Sequence, residues 1–185
     1  MLRPKSANAI DEFRSTVHNI AHKSQGIVSH LLLRTASTDD VQELVRIAHN
    51  AVAQSGYSDE QIAVWTKGLT EERISASLEH DLVLVAEEGV RMKGFATLIE
   101  RGENAGEIDL LYVDPDFKRS GVGRILVRGI EDSARQREMS AIWVDASAPA
   151  AHRLQSLGYR IHDDYKKTID SVVFHNTWMV KRLSS

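Results

Sequence analysis

The chain has 185 residues, 42% of them hydrophobic and 26% charged, enough to bury a core within one domain. Its net charge of −3 and pI near 6.2 exclude a nucleic-acid binder that works by neutralising phosphate, and no apolar run approaches the roughly 20 residues that span a bilayer. The absence of cysteine removes disulfides, thiolate nucleophiles and cysteine-type zinc sites; Arg3 and Lys5 lead into no apolar core, so no secretory signal is expected and a cytoplasmic location fits.

Ile10, Phe13, Val17 and Ile20 recur at helical spacing among charged residues, which predicts an amphipathic helix over residues 6–23. That helix belongs to an N-terminal extension, residues 1–29, and is expected to pack on the domain or on a second copy in a homodimer. His18 and His22 lie four apart on it. Asn19 stands where a metalloprotease helix needs glutamate, so no metal is expected.

The domain proper, 30–185, opens with a short strand at 30–34. Acids follow at Asp39 and Asp40, then a helix with Val41, Leu44, Val45, Ile47 and Ala48 on its apolar side. Ser58 and Gln61 form a capping box for a second helix, and Thr70 opens a third. Residues 82–86, 91–100 and 107–113 read as a three-strand meander. A loop, a helix over 122–136, a strand over 141–146 and a helix over 149–157 come next. Strands at 159–163 and 172–180 close the chain. The order is that of a mixed α/β fold with helices on both faces of one sheet.

The loop between the third meander strand and its helix carries the chemistry. Lys118, Arg119, Arg124 and Arg128 are basic with no acid among them, although the whole chain is net negative. Gly121 and Gly123 sit where the helix begins, so bare N–H groups and the helix dipole can hold phosphate there. A Walker loop is absent. A dinucleotide fingerprint fails because Leu126 occupies its third glycine position.

Lys118-Arg119-Ser120-Gly121-Val122-Gly123 resembles the Q/R-x-x-G-x-G/A loop of the GNAT acetyltransferases, with Lys118 in place of the usual Gln or Arg. LYVDPDFKRSGVGRILV, VAEEGVRMKGFATL and HRLQSLGY stand in that family's order, so the resemblance runs from Leu31 to Leu183. Tyr57 to Trp65 and the ending NTWMVKRL look like one uncharacterised bacterial subgroup. The resemblance implies a mostly antiparallel sheet of about six to seven strands, and acetyl transfer from acetyl-CoA to a primary amine of a small molecule or protein in a ternary complex. It implies that Leu111, Tyr112 and Val113, Lys118 through Arg124, and Ser147 hold the cofactor.

A base must deprotonate the amine. Asp109 is the first candidate and Glu107 the second, since alternation puts both on one strand face; Asp145 is weaker. The family's acid tyrosine is replaced here by Leu154, which leaves Tyr112, Tyr57 or Ser147, or an unassisted thiolate. Tyr57, Trp65, His175 and Trp178 are the acceptor-pocket candidates, while Tyr159 and Trp143 are expected in the core and His152 on the surface. The competing reading is an acyl-CoA sensor without turnover; an interaction module using the N-terminal helix is a third.

Overall fold

The structure is a computed structural model that describes residues 18–21, 30–102 and 104–184. Its eight strands are β1 (His18–Ala21), β2 (His30–Thr35), β3 (Leu82–Glu88), β4 (Arg91–Glu100), β5 (Ala105–Val113), β6 (Ala141–Ser147), β7 (Arg160–Ile169) and β8 (Val172–Arg182). They form one sheet in the order β1-β2-β3-β4-β5-β6-β8-β7. Every pairing is antiparallel except that of β5 with β6. Among the described residues the α-helices are α1 (Val41–Ala53), α2 (Asp59–Lys67), α3 (Glu71–His80), α4 (Val122–Gln136) and α5 (Ala148–Gln155).

Two expectations change. His18–Ala21, placed inside an N-terminal helix by its apolar spacing, is an edge strand paired with β2; the rest of that expected helix lies outside the described residues. Strand pairing satisfies backbone groups that a short amphipathic repeat cannot foretell. β7 runs six residues past the expected Asp163. Asp170 and Ser171, at φ 47 and 68, make the tight turn that lets it pair with β8 throughout.

Helices cover both faces. Leu126 and Ile130 of α4 and Leu154 of α5 pack with Leu84, Leu98, Ile108 and Ile142 on one face. Leu44 and Ile47 of α1 and Ile74 of α3 pack with Val83, Val85, Phe95 and Leu110 on the other. The expected caps form: the Ser58 hydroxyl accepts from the Gln61 N–H at 3.2 Å, the Gln61 side chain accepts from the Ser58 N–H at 3.1 Å, and Thr70 accepts from the Arg73 N–H at 3.2 Å.

The meander is bent where it approaches the loop. Its β4–β5 register shifts between Ala96 and Leu98, and the Leu110 N–H bonds the Thr97 hydroxyl at 2.8 Å. Gly94 admits the neighbouring strand closely, since a Cβ there would stand 2.6 Å from the Tyr112 carbonyl oxygen. Gly94→Ala is therefore expected to cost about 1–3 kcal/mol in a urea melt, as overpacking does; an unchanged midpoint would mean the two strands do not approach so closely.

Candidate functional site

The parallel ladder of β5 with β6 runs only from Ala105–Ala141 to Ile108–Val144. Beyond Ile108 the two strands separate, while β4 still pairs with β5 as far as Val113. The Asp114 N–H bonds the Lys93 carbonyl at 2.9 Å, so by alternation Tyr112 also turns its backbone groups to β4. Leu111 and Val113 are left with backbone groups that face the gap.

A cavity of about 430 Å³ passes through this gap. Leu111, Val113, Val127 and Leu154 line it from the α4–α5 side, and Tyr57, Trp65, Tyr112 and Asn176 from the α1–α2 side. The helix α4 opens directly onto it. Gly121 caps that helix at φ +88, a left-handed conformation that glycine takes without strain. The Ile125 N–H is the first to find a carbonyl, Gly121 O at 3.1 Å, so the N–H groups of Val122, Gly123 and Arg124 precede any helical partner. Lys118, Arg119, Gly121, Val122, Gly123 and Arg124 all border the cavity. The Ser120 hydroxyl instead bonds the Phe117 carbonyl at 2.6 Å and does not line it.

The loop is tied down from behind. Asp114, 4% exposed, accepts from the Asp116 N–H at 3.0 Å and pairs with Arg46 of α1 at 2.8 Å. The Lys118 ammonium donates to the Gln54 carbonyl, just past the end of α1, at 2.8 Å. A role for this lysine thus emerges that its sequence position left open: it clasps loop to helix. Phe117 lies under two cations, Arg91 and Lys93, each 4.6 Å from its ring centre.

On the α1–α2 side, aromatic rings surround a polar group of side chains. Trp65 packs on Phe174 at 5.2 Å and donates its indole N–H to the Tyr112 hydroxyl at 2.9 Å. Burial pushes the Tyr112 phenol up to about 12, against the opposing pull of that indole donor. Burial also raises the Tyr57 phenol, against the opposing pull of the nearby Ser147 hydroxyl, a contact that falls short of hydrogen-bond geometry and leaves the Tyr57 hydroxyl unpaired among the described residues. Asp145 lines the cavity, receives Lys167 and Asn176, each at 2.7 Å, and leaves the Asn176 carbonyl oxygen buried and unpaired. Lys167 also sits 4.7 Å over the Trp65 ring. Asp109 borders the cavity and is paired with Arg73 of α3.

Several sequence candidates stand elsewhere. Glu107, 7% exposed, pairs with Arg101 at 2.7 Å and lies outside the cavity wall. His175 is exposed, on the strand parity opposite Phe174 and Asn176. Trp178 stacks on Trp143 at 5.8 Å, so Trp143 belongs to this partly exposed stack rather than the core, and neither ring lines the cavity. Tyr159 is in the core and His152 on the surface, as expected. Sequence reasoning missed Asn176 and Lys167. The signal was present for Asn176: it shares the buried parity of Val172 and Phe174, and a buried amide in a strand needs partners. Among the described residues there is no group of acids and histidines able to hold a metal.

Comparison with known proteins gives the family. The profile of the acetyltransferase (GNAT) domain matches residues 52–177. The uncharacterised N-acetyltransferase YafP of Escherichia coli K12 is 28% identical over 155 residues, covering 82% of this chain and 96% of YafP. A GCN5-related N-acetyltransferase structure from Rhodopseudomonas palustris superposes with a TM-score of 0.76 at 29% identity, covering 86% of this chain and 100% of that one. YncA of Salmonella typhimurium, solved with acetyl-CoA, superposes with a TM-score of 0.63 at 21% identity, covering 85% of this chain and 96% of its own. The chain belongs to the GNAT acetyltransferase family.

The two loop glycines should answer differently to substitution. Gly121→Ala forces a side chain into the left-handed region and is expected to cost about 1–2 kcal/mol of stability. A Cβ on Gly123 would meet only Val113 at 3.5 Å, so Gly123→Ala, inside the first helical turn, should hold or raise stability. Chemical denaturation of both variants without ligand checks the contrast.

Proposed function

We propose that this chain is an acetyl-CoA-dependent N-acetyltransferase acting on a primary amine by direct transfer. One observation carries the reading: a single cavity joins the α4 N-terminus and the open edge of β5 on one side of the sheet to a lined polar pocket on the other. The residues fit the donor. The N–H groups of Val122, Gly123 and Arg124 face the cavity as a pyrophosphate cradle, with Arg119 and Arg124 adding charge. Leu111 and Val113 offer a strand edge to the amides of the pantetheine arm, and Ser147 closes the far wall. When bound, the cofactor supplies an acetyl thioester within the gap.

The α1–α2 side then receives the amine. Asp109 borders the cavity and takes the amine proton, directly or through water, with Arg73 holding the carboxylate in place. Tyr57 and Trp65 line the acceptor wall. The C–N bond forms as the C–S bond breaks, and the electron pair leaves on sulfur.

Leu154 is 2% exposed and apolar, so the leaving sulfur finds no proton donor there. Tyr112 takes the part in a different way. A phenol near 12 is protonated at any physiological pH, and giving its proton fully to a thiolate of pKa about 8.5 would be uphill by roughly 5 kcal/mol. Tyr112 therefore serves as a hydrogen-bond donor to the thiolate, with Trp65 fixing its oxygen. The alternative, an acyl-CoA sensor without turnover, is favoured by Leu154 alone.

Calorimetry with acetyl-CoA followed by thiol release over a panel of amines tests the proposal. No binding on the order of hundreds of micromolar overturns both readings; binding without release on any amine leaves the sensor. Tyr112→Phe is expected to lower kcat about tenfold to a hundredfold while acetyl-CoA affinity stays within about twofold. The raised phenol also sets an alkaline limit. The folded state keeps this proton above the unfolded value near 10, so that contribution is complete below pH 10 and is lost as pH rises towards about 12. Stability measured across that window should fall less steeply in Tyr112→Phe than in the wild type.

A further inference from the structure

β7 ends the sheet, and among the described residues nothing pairs with its outer edge. It is ten residues long, and the adjoining residue Asp170 begins its turn. Such an edge is a template for another strand unless it is guarded. Its centre, Asp163 to Lys167, is complementary to its own reversal. Turned end for end about Tyr165, it sets Asp164 against Lys166 and Asp163 against Lys167.

We propose that two copies of this chain join along β7, antiparallel across a two-fold axis at Tyr165, making one sheet that runs through both. The charges support a second copy over any other occupant. Each acid on this strand meets a base of the partner, and a two-fold axis makes each such contact twice. Arg160, Asp163 and Lys166 are exposed and form no ion pair within the described residues. Asp164 accepts one bond from Thr177 at 2.7 Å and keeps a second oxygen. Lys167 and Asp170 have partners in their own chain, Asp145 and Lys67, so the central Asp164–Lys166 pair carries the match.

The register shift between Ile161 and Asp163 puts Ile161 on the sheet face of Met179 and Ile169 on the opposite face, so the match is confined to Asp163–Lys167 and rests on its charges. Tyr165 and Lys167 are on the strand face that meets Asp145, so the junction would adjoin the acceptor side of the cavity.

Sedimentation of the full chain across a concentration series tests this, with a charge swap to locate the interface. The wild type should dimerise. Asp164→Lys and Lys166→Asp should each raise the dissociation constant at least about tenfold, because each sets like charges opposite one another twice. D164K combined with K166D should return it to near the wild-type value. Asp163→Lys, which sets a lysine opposite Lys167 twice and should also weaken the dimer, gives an independent test if either single variant folds poorly by circular dichroism. A wild-type monomer at about 100 µM would show that the charges guard the edge instead, and overturns the proposal. A dimer indifferent to the single changes, or not restored by the swap, places the interface elsewhere and overturns it too.

Discussion

The ladder between β5 and β6 stops at Ile108 and Val144, and the site follows from that interruption. Two features start it. The shift opposite Thr97 gives β5 an extra residue and a stronger twist, and Gly94 lets β4 stay close to the strand as it bends away from β6. β4 holds one edge of Tyr112 and Asp114, so the strand remains ordered while its other edge opens. A strand edge with no neighbour would ordinarily be a liability. Here it is covered by helices on both faces and bounded by the cavity, so it is reachable only by a ligand narrow enough to enter the gap.

The basic loop depends on the same geometry. A net-negative chain concentrates positive charge at one place, and that charge must be positioned while remaining free for a ligand. Its anchors are therefore directed backwards. Asp114 ties the loop's entry to Arg46 and to the backbone of β4, and Lys118 donates to the end of α1. Arg119 and Arg124 are not engaged in this way and border the cavity. Lysine in the place of the family's usual planar side chain suits this division, since a single ammonium reaches one carbonyl where a guanidinium would offer a fork.

Local features were legible in the sequence where one short stretch determined them. The helix caps at Ser58 and Thr70, the meander and the glycine loop each depend on residues within a few positions, and each stands in the structure where the pattern put it. Long-range choices were not legible. Glu107 and Asp109 share a strand face, yet only Asp109 reaches the cavity. The separation of β5 from β6 decides that, and it depends on β6, more than thirty residues away. Parity assigned His175 and Trp178 no face until the pairing of β8 with both β6 and β7 was known. His18–Ala21 carried an apolar spacing that suits helix, while pairing with β2 made it strand.

The polar atoms left unpaired at the α1–α2 end bear on what the cavity receives. Polar atoms that no protein group pairs are uncommon in a fold, and where they line a cavity they are open to a ligand or to water. The Tyr57 hydroxyl and the Asn176 carbonyl oxygen are both in this state, and both line the cavity. An amide carbonyl accepts only, and a phenol accepts as well as donates, so together they suit a ligand rich in N–H donors. Lys167 shows the same preference from within the chain, with its ammonium held between the Asp145 carboxylate and the Trp65 ring. On the proposed reading, an arriving amine would donate to acceptors that the fold leaves facing the cavity, taking the place of water there, which suits a primary amine rich in N–H donors.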